Sequence, residues 1–163
     1  MPSELLQTTN LKDAPAYWFL GALHILLAKS ESTGGRYSLV HATVPPGFAT
    51  PYHLHHTEDE AFYVLEGELT VIRDGEKTLL RSGGHIFLPR GVSHGVRCSS
   101  EQDSRVLTLV MPGGNVGFVG MMLEMAVPAE DGVVPKPEPP DFQRLATVCE
   151  RNKIDILGPL PES

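Results

Sequence analysis

Residues 47–67 read GFATPYHLHHTEDEAFYVLEG and place His53, His55 and Glu60 in one short span between Gly47 and Gly67. If residues 53–55 are extended, the two-residue period of a strand turns both imidazoles to one face and Leu54 to the other. Two neutral imidazoles and a carboxylate form a ligand set for a transition metal. Glu60 also opens a run of strand-forming residues, EAFYVLE over 60–66, that stops at Gly67. In a regular strand Phe62 and Val64 share the face of Glu60, so the carboxylate would sit on an apolar wall.

Working outward, the same alternation of short apolar runs and breakers repeats. Upstream, Arg36–Val44 (RYSLVHATV) reads as a strand stopped by Pro45, Pro46 and Gly47, and Tyr17–Ala28, interrupted by Gly21, suits two short strands better than one helix. Downstream, Glu68–Arg73 is expected as the hairpin partner of 60–66, and Asp74-Gly75 as a two-residue turn into Glu76–Arg81. Further short strands follow at His85–Leu88, His94–Cys98 and Ser104–Met111. About ten closely spaced strands bounded by Gly or Pro argue for an all-β sandwich or barrel over a parallel sheet.

The pattern changes after Pro112. Asn115 is expected to cap a helix carrying Phe118, Met121, Met122 and Met125 on one stripe, packing residues that can also close the mouth of a barrel. The proline-rich stretch 127–140 reads as an extended surface linker. Asp141 is expected to cap a second helix, Phe142–Arg151, with Phe142, Leu145, Ala146 and Cys149 on its apolar face and Asn152 in the left-handed position after it. Ile154, Ile156 and Leu157 then form an extended tail suited to a sheet edge. The expected organisation is one domain over 1–163, with a barrel core of about 17–111 and a helical, proline-rich extension over 112–163. Residues 1–13 read as a packing arm.

A candidate fourth ligand lies in GGHIFLPRGVSH, residues 83–94, where the Pro89-Arg90-Gly91 turn is expected to bring a strand back antiparallel to the one before it and deliver His94 opposite His53 and His55. With this stretch the chain resembles the cupin superfamily. The first cupin motif is matched by Gly47, His53, His55, Glu60 and Gly67, and the second by Gly83, Pro89, Gly91 and His94; Cys98 stands where the second motif has asparagine, a position that is not a ligand in the family. The resemblance implies a double-stranded β-helix, the cupin jelly-roll barrel, with one or two short C-terminal helices. It also implies one divalent transition metal ion, Fe, Ni, Mn, Co, Cu or Zn, held by His53, His55, Glu60 and His94.

Over roughly residues 17–160 the chain is similar to single-domain quercetin 2,3-dioxygenase-like cupins. That similarity implies a dioxygenase acting on a flavonol or a similar enolisable aromatic molecule, with Glu60 as both ligand and catalytic base. Isomerase or lyase chemistry at the same metal, or non-catalytic binding of a small molecule, are the alternatives. The expected partners are a small-molecule substrate, dioxygen and a second copy of the chain in a homodimer. Thirteen Lys and Arg against twenty Asp and Glu, a formal charge of -7, argue against nucleic acid and anionic membranes. Cys98 and Cys149 lack metal-knuckle spacing and read as reduced thiols, and the early apolar run 14–28 is broken by Pro15 and Gly21, so a cytoplasmic location is expected. His41 and His85 lie within strands and His24 in an apolar run, each read as an ordinary core or surface histidine; His56, Glu58 and Asp59 read as solvated loop residues or neighbours of the ligands.

Overall fold

The computed structural model describes residues 8–130, 133 and 140–162. The order of elements is β1 (Ala16–Phe19), β2 (Ala22–Ala28), β3 (Ser38–Val44), β4 (Tyr52–His55), β5 (Asp59–Glu66), β6 (Glu68–Arg73), β7 (Glu76–Arg81), β8 (His85–Leu88), β9 (His94–Cys98), β10 (Ser104–Met111), α1 (Phe118–Met125), β11 (Val127–Pro128), α2 (Phe142–Arg151) and β12 (Ile154–Gly158). A seven-stranded sheet runs β11-β1-β2-β3-β10-β5-β8 and a five-stranded sheet runs β12-β4-β9-β6-β7, every pairing antiparallel. This is a jelly roll. Its core lies between the sheets, where Val44, Phe62 and Val64 of the first meet Leu69, Val71 and Val96 of the second.

Two sequence expectations about pairing are corrected. The strands on either side of Gly67 do not form a hairpin: β5 pairs with β10 and β8, whereas β6 pairs with β7 and β9 in the other sheet. Gly67 makes the crossing at φ 80°, in a place so close to Ser104 that a Cβ would collide with it. Likewise the Pro89-Arg90-Gly91 turn does not fold β9 back onto β8; it carries the chain between sheets, and β9 pairs with β4 and β6. Two tight hairpins are β1–β2, turning at Leu20 and Gly21 with φ of 49° and 80°, and β6–β7, turning at Asp74 and Gly75 with φ of 49° and 78°, the paired positive values of type I′ turns.

Around this frame the flanking segments pack as a second cluster. Phe19, Met121, Met122, Leu145, Val148, Cys149 and Ile154 bury one another beside the sheets. Helix α1 is capped at Gly117 and not at Asn115, and its first amide is satisfied by a distant side chain described below. Asp141 does cap α2, accepting from the Arg144 amide at 2.9 Å. The buried face of α2 is Leu145, Val148 and Cys149, while Phe142 and Ala146 are exposed, and the left-handed residue after the helix is Lys153 and not Asn152. Asn152 instead turns inward, accepting from the Gly117 amide and donating to Glu124, which ties the two helices together. Strand β12 docks as the outer strand beside β4, with Ile154 opposite His55 and Ile156 opposite His53. Most of the proline-rich stretch and residues 1–7 of the arm lie outside the described residues, among which no helix is long and apolar enough to cross a membrane.

Candidate metal centre

Three strands bring the four side chains together. The two-residue period of β4 sends His53 and His55 to one face, the inward positions of β5 carry Glu60, Phe62 and Val64, and the register of β9 against β4 sets His94 directly opposite His53. One donor atom from each of His53, His55, Glu60 and His94 lies within 4.8 Å of all the others, and all but His53 are fully buried. His94 Nε2 is 2.8 Å and His55 Nε2 3.3 Å from the same carboxylate oxygen, Glu60 Oε2.

The outer ring nitrogens decide what the inner ones can do. His53 Nδ1 lies 2.7 Å from the Pro51 carbonyl, His94 Nδ1 3.1 Å from the Val92 carbonyl, and His55 Nδ1 3.1 Å from Glu58 Oε2. Each of these partners only accepts, so each Nδ1 carries the hydrogen and each neutral ring turns a bare Nε2 lone pair inward. Three lone pairs and a carboxylate facing one point repel unless a cation lies between them, and His55 Nε2 is a buried nitrogen without a hydrogen-bond partner. This donor set fits a divalent metal ion.

The electrostatics of the side chains alone point the same way for Glu60 and His53. They point the opposite way for His55, on which two carboxylates favour a proton that a metal ion would displace. Burial works to raise the Glu60 pKa, but His55, His94 and His53 outweigh it and hold the carboxyl at about 2, so Glu60 is ionised. Burial, reinforced by His94 and His55, lowers the His53 pKa to about 4 and keeps that ring neutral. Burial also opposes charge on His55, yet Glu60 and Glu58 raise its pKa above the ordinary value.

Glu58 takes the second of its two sequence readings, that of a neighbour of the candidate ligands. It is not solvated: the side chain is buried, and Oε2 accepts from His55 Nδ1 and, at 2.8 Å, from the backbone amide of Phe118 at the start of α1. Gly117, at φ 127°, leaves the space that the Glu58 carboxylate fills, since a Cβ there would strike it. The other loop residues do face outward, His56 pairing with Asp155 and Asp59 with Arg90. His85 is exposed, His41 is buried in β3 and does not line the centre's cavity, and Cys98 packs in the inter-sheet core with Sγ 3.4 Å from Ser104 Oγ.

A cavity of about 90 Å³ adjoins the centre, with His53, Glu60 and His94 on its wall. Most of its remaining lining is apolar, including Phe62 from the barrel, Phe118 and Met121 from α1, Leu145 from α2 and Ile154 from β12. Val64 lies deeper, in the core, and is not part of that wall. His24 also faces the cavity, contrary to its reading as an ordinary core or surface histidine.

Comparison with known proteins agrees with this geometry. A family model described as a cupin domain matches residues 40–110, a segment that contains all four converging side chains. Quercetin 2,3-dioxygenase of Bacillus subtilis (strain 168) is 28% identical over 138 residues, covering 84% of this chain and 40% of that protein. The chain thus spans two fifths of the length of that relative. Among solved structures, KdgF from Halomonas sp. superposes with a TM-score of 0.58 at 24% identity, covering 66% of this chain and 94% of the other. An RmlC-like cupin from Shewanella frigidimarina NCIMB 400 gives 0.58 at 21% identity, covering 66% and 91%. At these identities the two structures speak to the fold alone.

Proposed function

Because this chain is a member of the cupin superfamily, we propose that it binds one divalent transition metal ion through His53, His55, Glu60 and His94 and uses it to oxidise a small enolisable aromatic molecule with dioxygen. The observation that carries this reading is the convergence of three imidazoles and an ionised carboxylate beside an apolar cavity, with His53, Glu60 and His94 on its wall. The similarity to quercetin 2,3-dioxygenase supports a flavonol-type substrate and a dioxygenase reaction; the reaction proposed is oxidative opening of the heterocycle with loss of carbon monoxide.

When bound, the ion supplies Lewis acidity that stabilises negative charge developing on a substrate oxygen. The rest falls to the chain. Glu60, ionised and within 3.3 Å of two imidazoles through one oxygen, keeps its other oxygen, Oε1, for a proton from the substrate hydroxyl. His53, His55 and His94 hold fixed tautomers through their Nδ1 partners, so their lone pairs need no reorganisation. Phe62, Phe118 and Met121 exclude water from the oxyanion that results.

Cavity size supports a second reading. At about 90 Å³ the space is well below the roughly 300 Å³ at which drug-sized ligand pockets begin. A flavonol therefore exceeds the space as it stands, whereas isomerase, lyase or simple binding functions on a smaller ligand fit it. The deciding experiment loads purified protein with each candidate metal in turn, binds a flavonol anaerobically and then admits oxygen. Oxygen uptake with carbon monoxide release is expected; tight binding with no uptake under any metal would replace the dioxygenase reading with the second one.

A further inference from the structure

We propose that His24 is the polar anchor of the cavity, presenting an imidazole lone pair that accepts a hydrogen bond from a hydroxyl on an otherwise apolar ring ligand. This rests on reading the cavity as the substrate site, and it adds the chemistry by which a substrate would be chosen.

Strand β2 alternates, burying Ala22, His24 and Leu26 on one face, and that face turns His24 into the cavity with only 6% of its surface exposed. Its Nδ1 lies 3.2 Å from the Ala22 carbonyl, which can only accept, so the hydrogen sits on Nδ1 and Nε2 is the bare acceptor. Among the described residues Nε2 has no hydrogen-bond partner, and it is not one of the nitrogens sealed inside the protein. Phe19 and Phe118 flank the ring, their centroids at 5.7 and 6.2 Å, and fix its plane. Burial lowers the His24 pKa to about 4, so the ring stays a neutral acceptor at working pH.

Apart from His53, Glu60 and His94 of the metal centre, the other polar groups of the wall are less suited to this task. Thr50 is committed to the backbone, its Oγ1 accepting from the Val96 amide at 3.0 Å. Thr108 offers a rotating hydroxyl that can donate or accept and so discriminates weakly. A fixed acceptor in an apolar cavity penalises any ligand that covers it without supplying a donor, and that penalty is a source of selectivity.

The test compares phenol with toluene, rings of nearly equal size that differ in one hydroxyl. Dissociation constants are measured for wild type, His24→Phe, His24→Gln and Thr108→Val, each as chelator-treated protein and as zinc-loaded protein, with thermal unfolding as the check on folding. The toluene-to-phenol ratio of dissociation constants is expected to fall at least about tenfold in His24→Phe relative to wild type. His24→Gln, which keeps an acceptor, recovers part of it, Thr108→Val leaves it in place, and zinc content is the same throughout. In wild type, phenol is also expected to shift the ¹⁵N resonance of His24 Nε2, which a purely packing role would not produce. An unchanged ratio in a folded His24→Phe, or a ratio lost in Thr108→Val instead, overturns the proposal, as does a phenol preference that exists only in the zinc-loaded form. If flavonol turnover is absent while the ratio still falls in His24→Phe, the anchor stands and only the dioxygenase reading fails.

Discussion

The barrel segment 40–110 and the segments on either side of it contribute different things to one site. The segment that matches the cupin family model supplies every converging donor: His53 and His55 from β4, Glu60 from β5 and His94 from β9. The flanking segments supply much of what a ligand would touch, with Phe19 and His24 from the first hairpin, Phe118 and Met121 from α1, Leu145 from α2 and Ile154 from β12. Likeness within the barrel therefore bears on the donor set and on the barrel side of the cavity wall, such as Phe62 and Thr108, whereas the wall that the flanking segments add lies outside the matched segment. The two regions meet at Glu58, whose one carboxylate oxygen takes a hydrogen from His55 and another from the first turn of α1.

Three measurements can break or sharpen this division. The largest effect is expected from His94→Ala, which removes a barrel donor: metal affinity, read by competition with a chromogenic chelator, should fall at least about 100-fold. Wild-type affinity in that variant would mean that the ion is held elsewhere. Next, His24→Phe changes the flanking region and should leave metal affinity alone while altering acid stability. The His24 pKa is lowered by burial from 6.5 to about 4, so the unfolded chain binds the proton first and stability falls as pH drops from 6.5 towards 4. At 1.36 kcal/mol per unit this is worth about 3 kcal/mol, present above pH 6.5 and lost by pH 4. Urea titrations at pH 7 and pH 4 should show His24→Phe gaining on wild type by that order at the lower pH; parallel curves would mean that the ring is not buried neutral.

The smallest effect is expected at the joint. In Glu58→Gln the amide oxygen can still accept from both N–H groups, but it loses the negative charge that strengthens both bonds. Metal affinity should weaken by about tenfold, and amide hydrogen exchange in α1 should speed up. If exchange in α1 changes and metal affinity does not, the two regions are structurally joined but chemically independent.

What could be read from the sequence follows the same division. The spacing of His53, His55 and Glu60 was legible because a strand's period and a turn glycine are local facts, and His94 was legible through its turn. The route by which His94 arrives was not, since a Pro-Arg-Gly turn does not state whether the next strand joins the same sheet or the opposite one. Gly67 hid its crossing between sheets for the same reason. For Glu58 the sequence left two readings, a solvated loop acid or a neighbour of the ligands, because its second partner, the Phe118 amide, lies 60 residues further on. His24 gave no local signal at all: one histidine in an apolar run becomes distinctive only when α1 brings Phe118 to its side. Periodicity also overstated α2, where Phe142 fits the apolar stripe but falls at the exposed first turn.

The pairing of β12 with β4 bears on the order of folding. The strand that holds His53 and His55 meets β9 through a single residue pair, His53 with His94, but meets β12 through four. Its ladder is thus completed mainly by residues about a hundred positions later, a closure that is slow because the intervening chain must be gathered first. A growing chain would therefore hold its two histidines loosely until β12 arrives, and a metal ion captured before then would meet a floppy chelate instead of a fixed cage. Synthesis order itself would defer metal selection until β12 has joined β4.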